Sequence, residues 1–493
     1  EKKDFVMDLG FMIGHGPLRS YVMGYERCQS QVDASEEEIS KMSDLVTEAI
    51  ESGALGFSTS RTILHRDVHG VYVPGTEASS EEMKSLAFAI DKAGEGTLEI
   101  VSDWLDKEIE MSWMKEYVEK SDCGLTVLQT SGDAVKTILF CEEQFLKGKN
   151  VRPQFPGRNV GMMFGLESSL HPFIGHPSYR EIAELPLSER VKIMSDSAFK
   201  EKLLKEKPNF ASEIEKSMNE QGSAKSKEEI QEAASLGQKL ISNYETQFIL
   251  GDPPNYEPGK EDSIAALAET KGVSELEVIY EEFLKNGGTN LVYACFTPYD
   301  NHKLDFVERA YSLKSSVAGG SDGGAHCGLI CDASMPTTNL SHWARDREAG
   351  KKIPIELIVR KQTKDTAETY GLFDRGEIKT GMLADLNIID FENLNVTHPK
   401  MVYDLPMGGR RLIQNSFGYL ATVKSGEVVY ESGEATGVLP GKLIRGKQTC
   451  EVKAEKEKIP FVDRTLRLMS VKAFKLLWNL RKKPAKTTVV SGD

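Results

Sequence analysis

Twice within the first hundred residues a Ser-x-x-Glu sequence opens an amphipathic stretch that runs to a glycine and is followed by a short apolar run. Ser35-x-x-Glu38 starts the first, with Ile39, Met42, Leu45, Ala49 and Ile50 at helical spacing, and Gly53 ends it before the strand-like Leu55-Gly56-Phe57-Ser58. Ser79-x-x-Glu82 starts the second, with Met83, Leu86, Ala87 and Ile90, and Gly94 and Gly96 close it ahead of a strand at 98–101. Strand-like runs at 11–14, 125–129, 151–155, 291–296 and 316–320 continue the cycle, separated by helical patterns. Helices between successive strands imply a parallel sheet, because a parallel pair needs a long crossover. No GxGxxG follows an early strand, so the expectation is an α/β fold of the (β/α)8 TIM-barrel type rather than a doubly wound dinucleotide-binding sheet.

A chain of 493 residues exceeds what one hydrophobic core organises, and its texture changes along its length. Residues 1–372 read as the barrel, with a densely charged helical insertion at about 178–244. Short β-like segments joined by Gly-rich turns over 373–449 read as a small β-sandwich domain. Residues 450–493 read as a basic amphipathic tail, in which Leu466, Met469, Ala473, Leu476 and Leu480 follow a 3-4-3-4 spacing. This tail is expected to dock on the acidic body of its own or a neighbouring subunit, making a homo-oligomer one of its uses. The chain opens EKKDFVMDLG, without an initiator Met, and is read as incomplete at its N-terminus, so that the barrel lacks its first strands and an N-terminal targeting signal stays open. The formal net charge of −14 argues against a nucleic-acid partner, and no run approaches the roughly 20 apolar residues of a membrane-spanning helix. Seven scattered cysteines without a CxxC pair point to a reducing, cytoplasmic location.

The densest candidate for chemistry is 317–326, Val-Ala-Gly-Gly-Ser-Asp-Gly-Gly-Ala-His. Asp322 follows an apolar strand that ends in glycines, and in a barrel the carboxyl end of a strand is the catalytic face. A carboxylate there can hold a metal and take a proton from bound water; equally, Asp beside Gly can cap a helix or shape a turn. Ser58-Thr59-Ser60-Arg61 offers hydroxyls and a guanidinium suited to a carboxylate, or an N-cap and a surface Arg. His15 ends the first strand and either faces the same mouth or is a satisfied structural histidine. His65 and His69 form an HxxxH pair in HRDVH, but Arg66 holds the place where a zincin carries its base Glu. No GxSxG occurs, so covalent acyl-enzyme chemistry lacks a visible nucleophile.

Taken in order, GHGPLRSYVMG, EAIESGALGFSTSR with VPGTEAS, GGSDGGAHCGLICDASMPTTNLSHWARDR, TAETYGLFDRGEIKTGMLADLNIID and DLPMGGRRLIQNSFGY resemble the D-aminoacylase-like branch of the amidohydrolase superfamily, the N-acyl-D-amino-acid deacylases. The resemblance implies a metal-dependent barrel with a β-sandwich built from both chain ends, hydrolysing the amide of an N-acyl-D-amino acid or a related linear amide. It implies Asp322 as metal contact and general base, with one Zn2+ activating water. The candidates to bind the small-molecule substrate are Arg61, His326, His15 and Ser58, with Arg61 or His326 placed to hold its carboxylate. The family's HxH and bridging Cys would lie upstream of Glu1. Two further family histidines are not found where this chain reads LEIVSDW and LQTSGDA. The competing expectation is a metal-poor member of the fold that binds a small acid without turning it over.

Overall fold

The computed structural model describes residues 3–29, 31–66, 71–104, 106–129, 135–210, 227–297, 299–324, 326–449 and 461–481. Its centre is a six-stranded, all-parallel sheet of β1 (Ile13–Gly14), β2 (Gly56–Arg61), β3 (Thr97–Ser102), β4 (Gly124–Leu128), β5 (Val151–Pro156) and β9 (Val317–Gly319), hydrogen-bonded in that order. The helices Glu36–Glu51, Ser80–Ala93 and Lys107–Lys120 follow β1, β2 and β3, as the alternation of patterns predicts. The first begins in a complete capping box, in which Ser35 accepts from the Glu38 amide and the Glu38 carboxylate accepts from that of Ser35. Phe57, Leu98, Ile100, Leu125 and Val127 point to the helices, forming one buried cluster with Met42, Val46, Ile50, Met83, Leu86, Ile90, Trp113 and Tyr117.

The other face of the sheet is polar. Registered pairs place Gly14, Ser58, Glu99, Thr126 and Arg152 in one row across five strands. Glu99 accepts from Tyr370 Oη at 2.9 Å and Gln154 Nε2 at 3.2 Å, and Arg152 lies 3.5 Å from Glu368. A buried face of hydrogen-bonded polar side chains is the lining of an interior, since unpaired polar groups there would be costly.

Among the described residues β1 and β9 are the two edges of the parallel sheet, so these residues show a parallel α/β sheet, which is consistent with the incomplete barrel that the sequence leads one to expect. One sequence expectation changes. The run near 291–296 is a strand, β8 (Val292–Thr297), but it lies outside the parallel sheet, in an antiparallel one between β6 (Val160–Phe164) and β7 (Gln247–Ile249). Only residues 157–159 separate β5 from β6. That is too short for a parallel crossover, so β6 does not join the sheet of β5 as a parallel neighbour, and β8 pairs with it antiparallel in a separate sheet.

Helices Pro177–Arg180, Leu187–Met194, Ser197–Lys205 and Lys227–Ile241 occupy the stretch read as an insertion. They share a core with this antiparallel sheet through Phe164, Phe173, Tyr179, Met194, Leu203, Ile241 and Phe283. His171 is buried here, its ring centroid 4.8 Å from that of Tyr179 and its Nδ1 accepting from the Phe173 amide at 3.2 Å. Burial, with Arg190 second, pushes its pKa down to about 3. The unfolded chain takes up this proton below about pH 6.5 and the folded one does not, so stability rises with pH and is lost on acidification. Between pH 6.5 and 5 each such histidine should lower the unfolding free energy by about 1.4 kcal/mol per pH unit. Urea unfolding at pH 7 and pH 5 should show this loss, and His171→Phe should flatten it.

Beyond residue 385 the chain forms a four-stranded antiparallel sheet of β10 (Leu386–Ile389), β15 (Tyr419–Lys424), β16 (Glu427–Glu431) and β17 (Glu434–Ala435), with two two-stranded ladders. The N-terminal segment joins this region. Phe5 and Leu9 bridge to Gly441 and Leu443, and the Asp8 carboxylate meets Arg375 at 2.7 Å, Lys424 at 3.1 Å and the Lys442 amide at 2.8 Å. The helix Phe461–Arg481 lies against Val135–Leu146, where Lys475 pairs with Glu143. Val471 on this helix is buried, whereas Met469 and Ala473 of the expected seam are exposed; the side chains of Leu466, Leu476 and Leu480 lie outside the described residues. No helix among the described residues is long and apolar enough to cross a membrane.

Candidate active site

The carboxyl ends of β2, β3 and β9 meet at one mouth. β9 runs into Gly320, whose φ of +73° favours glycine and whose Cβ would press on Pro156 at 3.3 Å. The chain then presents Asp322 and His326, both exposed. Among the described residues the Asp322 carboxylate enters no hydrogen bond, so it does not serve as the helix cap that the sequence left open. His326 sits at φ +45°, a conformation uncommon for a residue with a Cβ, held by Leu329 and Ile330 amides donating to its carbonyl at 2.7 and 2.9 Å.

Opposite lies His65, which is half-buried, its ring centroid 6.4 Å from that of His326. Its Nδ1 is 2.6 Å from Ser60 Oγ on β2. Asp103, just past β3, pins the same turn by accepting from the Ile63 amide at 2.7 Å. Burial first, then the neighbouring His326, holds the His65 pKa below the ordinary imidazole value, while Asp103 and Asp322 pull it the other way. The mouth thus gathers two imidazoles, a hydroxyl and two carboxylates.

Below it is a buried cation. Arg158 is 2% exposed, stacks 3.7 Å from the Tyr256 ring centroid, and reaches the Cys331 carbonyl at 2.9 Å and Asp332 at 3.2 Å. Burial pushes the Asp332 carboxyl up to about 6 against the pull of Arg158, and the Asp322 charge adds to that rise.

The other expected site residues fall elsewhere. His15 is 2% exposed beneath the helix-side face of β2, with Nδ1 2.8 Å from Thr59 Oγ1 and Nε2 2.8 Å from Glu82 Oε1. It is the satisfied structural histidine of the two readings. Gly75 closes over its ring: at φ +102°, a Cβ there would come within 2.5 Å of Nδ1. Ser79 caps the helix by accepting from the Glu82 amide at 3.2 Å, but the Glu82 carboxylate turns inward to His15 and does not complete a capping box. Arg61 is spent on Glu110, 2.7 Å from its Nε, and on the carbonyls of Gly75 at 3.3 Å and Ala78 at 2.9 Å. Its guanidinium therefore fastens the end of β2 to a helix. Ser58 lies on the polar inner face in register with Glu99. A cavity of about 220 Å3 between Gly165–Ser168, Gly288–Leu291 and His398–Met401 shares no lining residue with the mouth.

Sequence reasoning overlooked Ser60 with His65, and Asp103. The five-residue spacing of Ser60 and His65 carries no periodicity, and only the turn brings them together. Asp103 alone had a signal, as an acid closing a strand. His69 lies outside the described residues. Among the described residues no three His, Cys, Asp or Glu side chains converge as a metal ion would require, so these residues do not by themselves fit the zinc that the resemblance implies.

Residues 260–430, which include Asp322 and His326, match the amidohydrolase family. An uncharacterized protein of Mycobacterium tuberculosis is 24% identical over 455 residues, covering 86% of this chain and 68% of that protein. A D-aminoacylase of Alcaligenes xylosoxydans xylosoxydans is 25% identical over 382 residues, covering 77% of this chain and 60% of the enzyme. Among solved structures, D-aminoacylase is 18% identical with a TM-score of 0.48 over 89% of this chain and 72% of the other. N-acyl-D-glutamate deacylase of Bordetella bronchiseptica, solved with zinc and a phosphonate inhibitor, is 16% identical with a TM-score of 0.49 over 90% and 72%. Residues 260–430 thus carry the amidohydrolase pattern, and the chain resembles the D-aminoacylase-like branch of that family.

Proposed function

We propose that the protein hydrolyses the amide bond of N-acyl-D-amino acids or related linear amides at this mouth. The observation that carries the reading is Asp322, an exposed carboxylate at the carboxyl end of a parallel strand, facing His65 and His326 inside a segment that matches an amidohydrolase family. Asp322 takes the proton of the attacking water and delivers it to the leaving amine, which is general acid–base work within the reach of a carboxylate. His326, exposed beside it, is the group left to hold the substrate carboxylate, since Arg61 and His15 have their polar atoms engaged in the frame. Ser58 belongs to the polar floor. Zinc stays within the proposal as an ion for which Asp322 is this chain's ligand, with its other donors outside the described residues. The net charge of −14 favours a small-molecule partner over nucleic acid, and a cytoplasmic setting fits the seven scattered cysteines.

Amine release from paired N-acyl-D- and N-acyl-L-amino acids by the intact protein, with its metal content measured in the same preparation, tests this. The D series should be hydrolysed at least about tenfold faster in kcat/KM, a difference of about 1.4 kcal/mol in transition-state binding. Saturable binding of the same compounds with no amine released would instead establish the non-catalytic reading.

A further inference from the structure

We propose that the cavity between Gly165–Ser168, Gly288–Leu291 and His398–Met401 binds a small molecule that carries a primary ammonium group on a short apolar chain. It shares no lining residue with the mouth, so the site goes beyond the hydrolytic reading and does not rest on it. Three separate stretches of chain build it: the turn that follows β6, the residues that lead into β8, and the start of the strand Lys400–Leu405. Gly165 permits the close approach of the first two. A Cβ there would come within 2.7 Å of Leu291 Cδ2 and 3.2 Å of the Asn290 carbonyl.

The polar groups around the cavity are acceptors that the fold leaves short of donors. Glu167 receives only the neutral Tyr403 hydroxyl, at 2.6 Å, and no Lys or Arg among the described residues pairs with it. Arg190, behind the same wall, is turned to the Leu166 carbonyl at 2.5 Å and to Tyr179 Oη at 3.0 Å. His398 donates from Nδ1 to the Pro399 carbonyl at 2.8 Å, since a carbonyl can only accept, and this leaves Nε2 as the acceptor of the neutral ring. Ser168 is 4% exposed, and its Oγ has no hydrogen-bond partner among the described residues, a state that buried polar groups rarely keep. A carboxylate, an imidazole nitrogen and a hydroxyl oxygen match the three N–H bonds of one ammonium group.

Size and lining narrow the class further. The volume of about 220 Å3 is less than the roughly 300 Å3 at which drug-sized pockets begin and far more than the roughly 30 Å3 of one water, so the occupant has the size of a short amine. Leu166, Leu291, Pro399 and Met401 supply apolar wall for its chain, which a cluster of waters could not use. A metal ion does not match the site, because among the described residues no three His, Cys, Asp or Glu side chains converge. Lys400 is exposed at the rim without an ion pair among the described residues, so a carboxylate next to the ammonium would find its counter-charge there. The ammonium group can thus belong to a simple alkylamine or to a free amino acid.

Titration of n-butylamine into the intact protein, with isotope-labelled methionine methyl groups followed by NMR and the Met401 signal assigned from Met401→Leu, tests the site. n-Butylammonium should shift the Met401 signal saturably and bind at least about tenfold more tightly than n-butanol, which has the same chain and no charge. Glu167→Gln, which still accepts from Tyr403, should weaken n-butylammonium at least about tenfold and leave n-butanol unchanged. Norvaline reads the source: tighter binding than n-butylamine, lost in Lys400→Ala, marks a free amino acid, and no gain marks a simple amine. An unmoved Met401 signal in the wild-type protein, or n-butanol binding as tightly as the amine, would overturn the site whether or not Glu167→Gln folds. Amide hydrolysis at the mouth would stand in either case.

Discussion

Asp322→Asn should lower kcat/KM for the best N-acyl substrate by about 1,000-fold while leaving the fold unchanged. General acid–base catalysis by a positioned side chain contributes roughly 100- to 10,000-fold, and an amide cannot take up the proton of the attacking water. The same exposure that makes Asp322 available to substrate makes it unimportant to stability. Among the described residues its carboxylate enters no hydrogen bond, and substitutions at such positions change stability by only about 0.5 kcal/mol. Initial rates beside thermal unfolding of the variant separate the two effects. A folded variant within about threefold of wild type would remove Asp322 from the chemistry.

Arg158→Met should have the opposite character, with a large loss of stability. Arg158 is 2% exposed and is the cation facing Asp332, itself 3% exposed. Removing one partner of a buried pair leaves an uncompensated charge and costs about 3–5 kcal/mol, which for a protein of this size lowers the melting temperature by about 3–5 °C. Arg158→Met with Asp332→Leu should recover much of that loss, because it removes the stranded carboxylate as well. The pH dependence has a definite sign. Asp332 titrates near 6 in the fold against an ordinary value near 3.8, so the folded state holds the proton longer and stability falls as pH rises between those values. Without Arg158 the folded value rises further, and the window of loss extends above pH 6. The deficit of the single variant should therefore be greater at pH 8 than at pH 5, measured by urea unfolding at both. Equal deficits would mean that stacking on Tyr256, 3.7 Å away, and not the ion pair, is what Arg158 supplies.

Local sequence determined the parallel half of this protein. The helices after β1 and β2, their serine caps and the strands that follow lie where capping residues and apolar periodicity put them, because both act within one or two turns of chain. The Gly-ended strand before Asp322 was legible for the same reason. Pairing partners were not. An apolar run specifies a strand but not its sheet, so β8 looked like another parallel strand, whereas β6, too close behind β5 to follow a parallel crossover, gives it an antiparallel neighbour in a separate sheet. Side-chain destinations depended on the same long-range geometry. Glu82 reads as half of a capping box, but a buried histidine 67 residues away supplies a partner that its own helix end cannot match. Arg61 reads as a free guanidinium, and Glu110 claims it from 49 residues further along. Residue type and strand position made Asp322 a candidate beside a turn-shaping reading, and the family resemblance, not its position, gave it a catalytic role. Only the tertiary structure decided which histidine faces it, because the turn that carries His65 back to Ser60 is held by Asp103, just past the end of another strand.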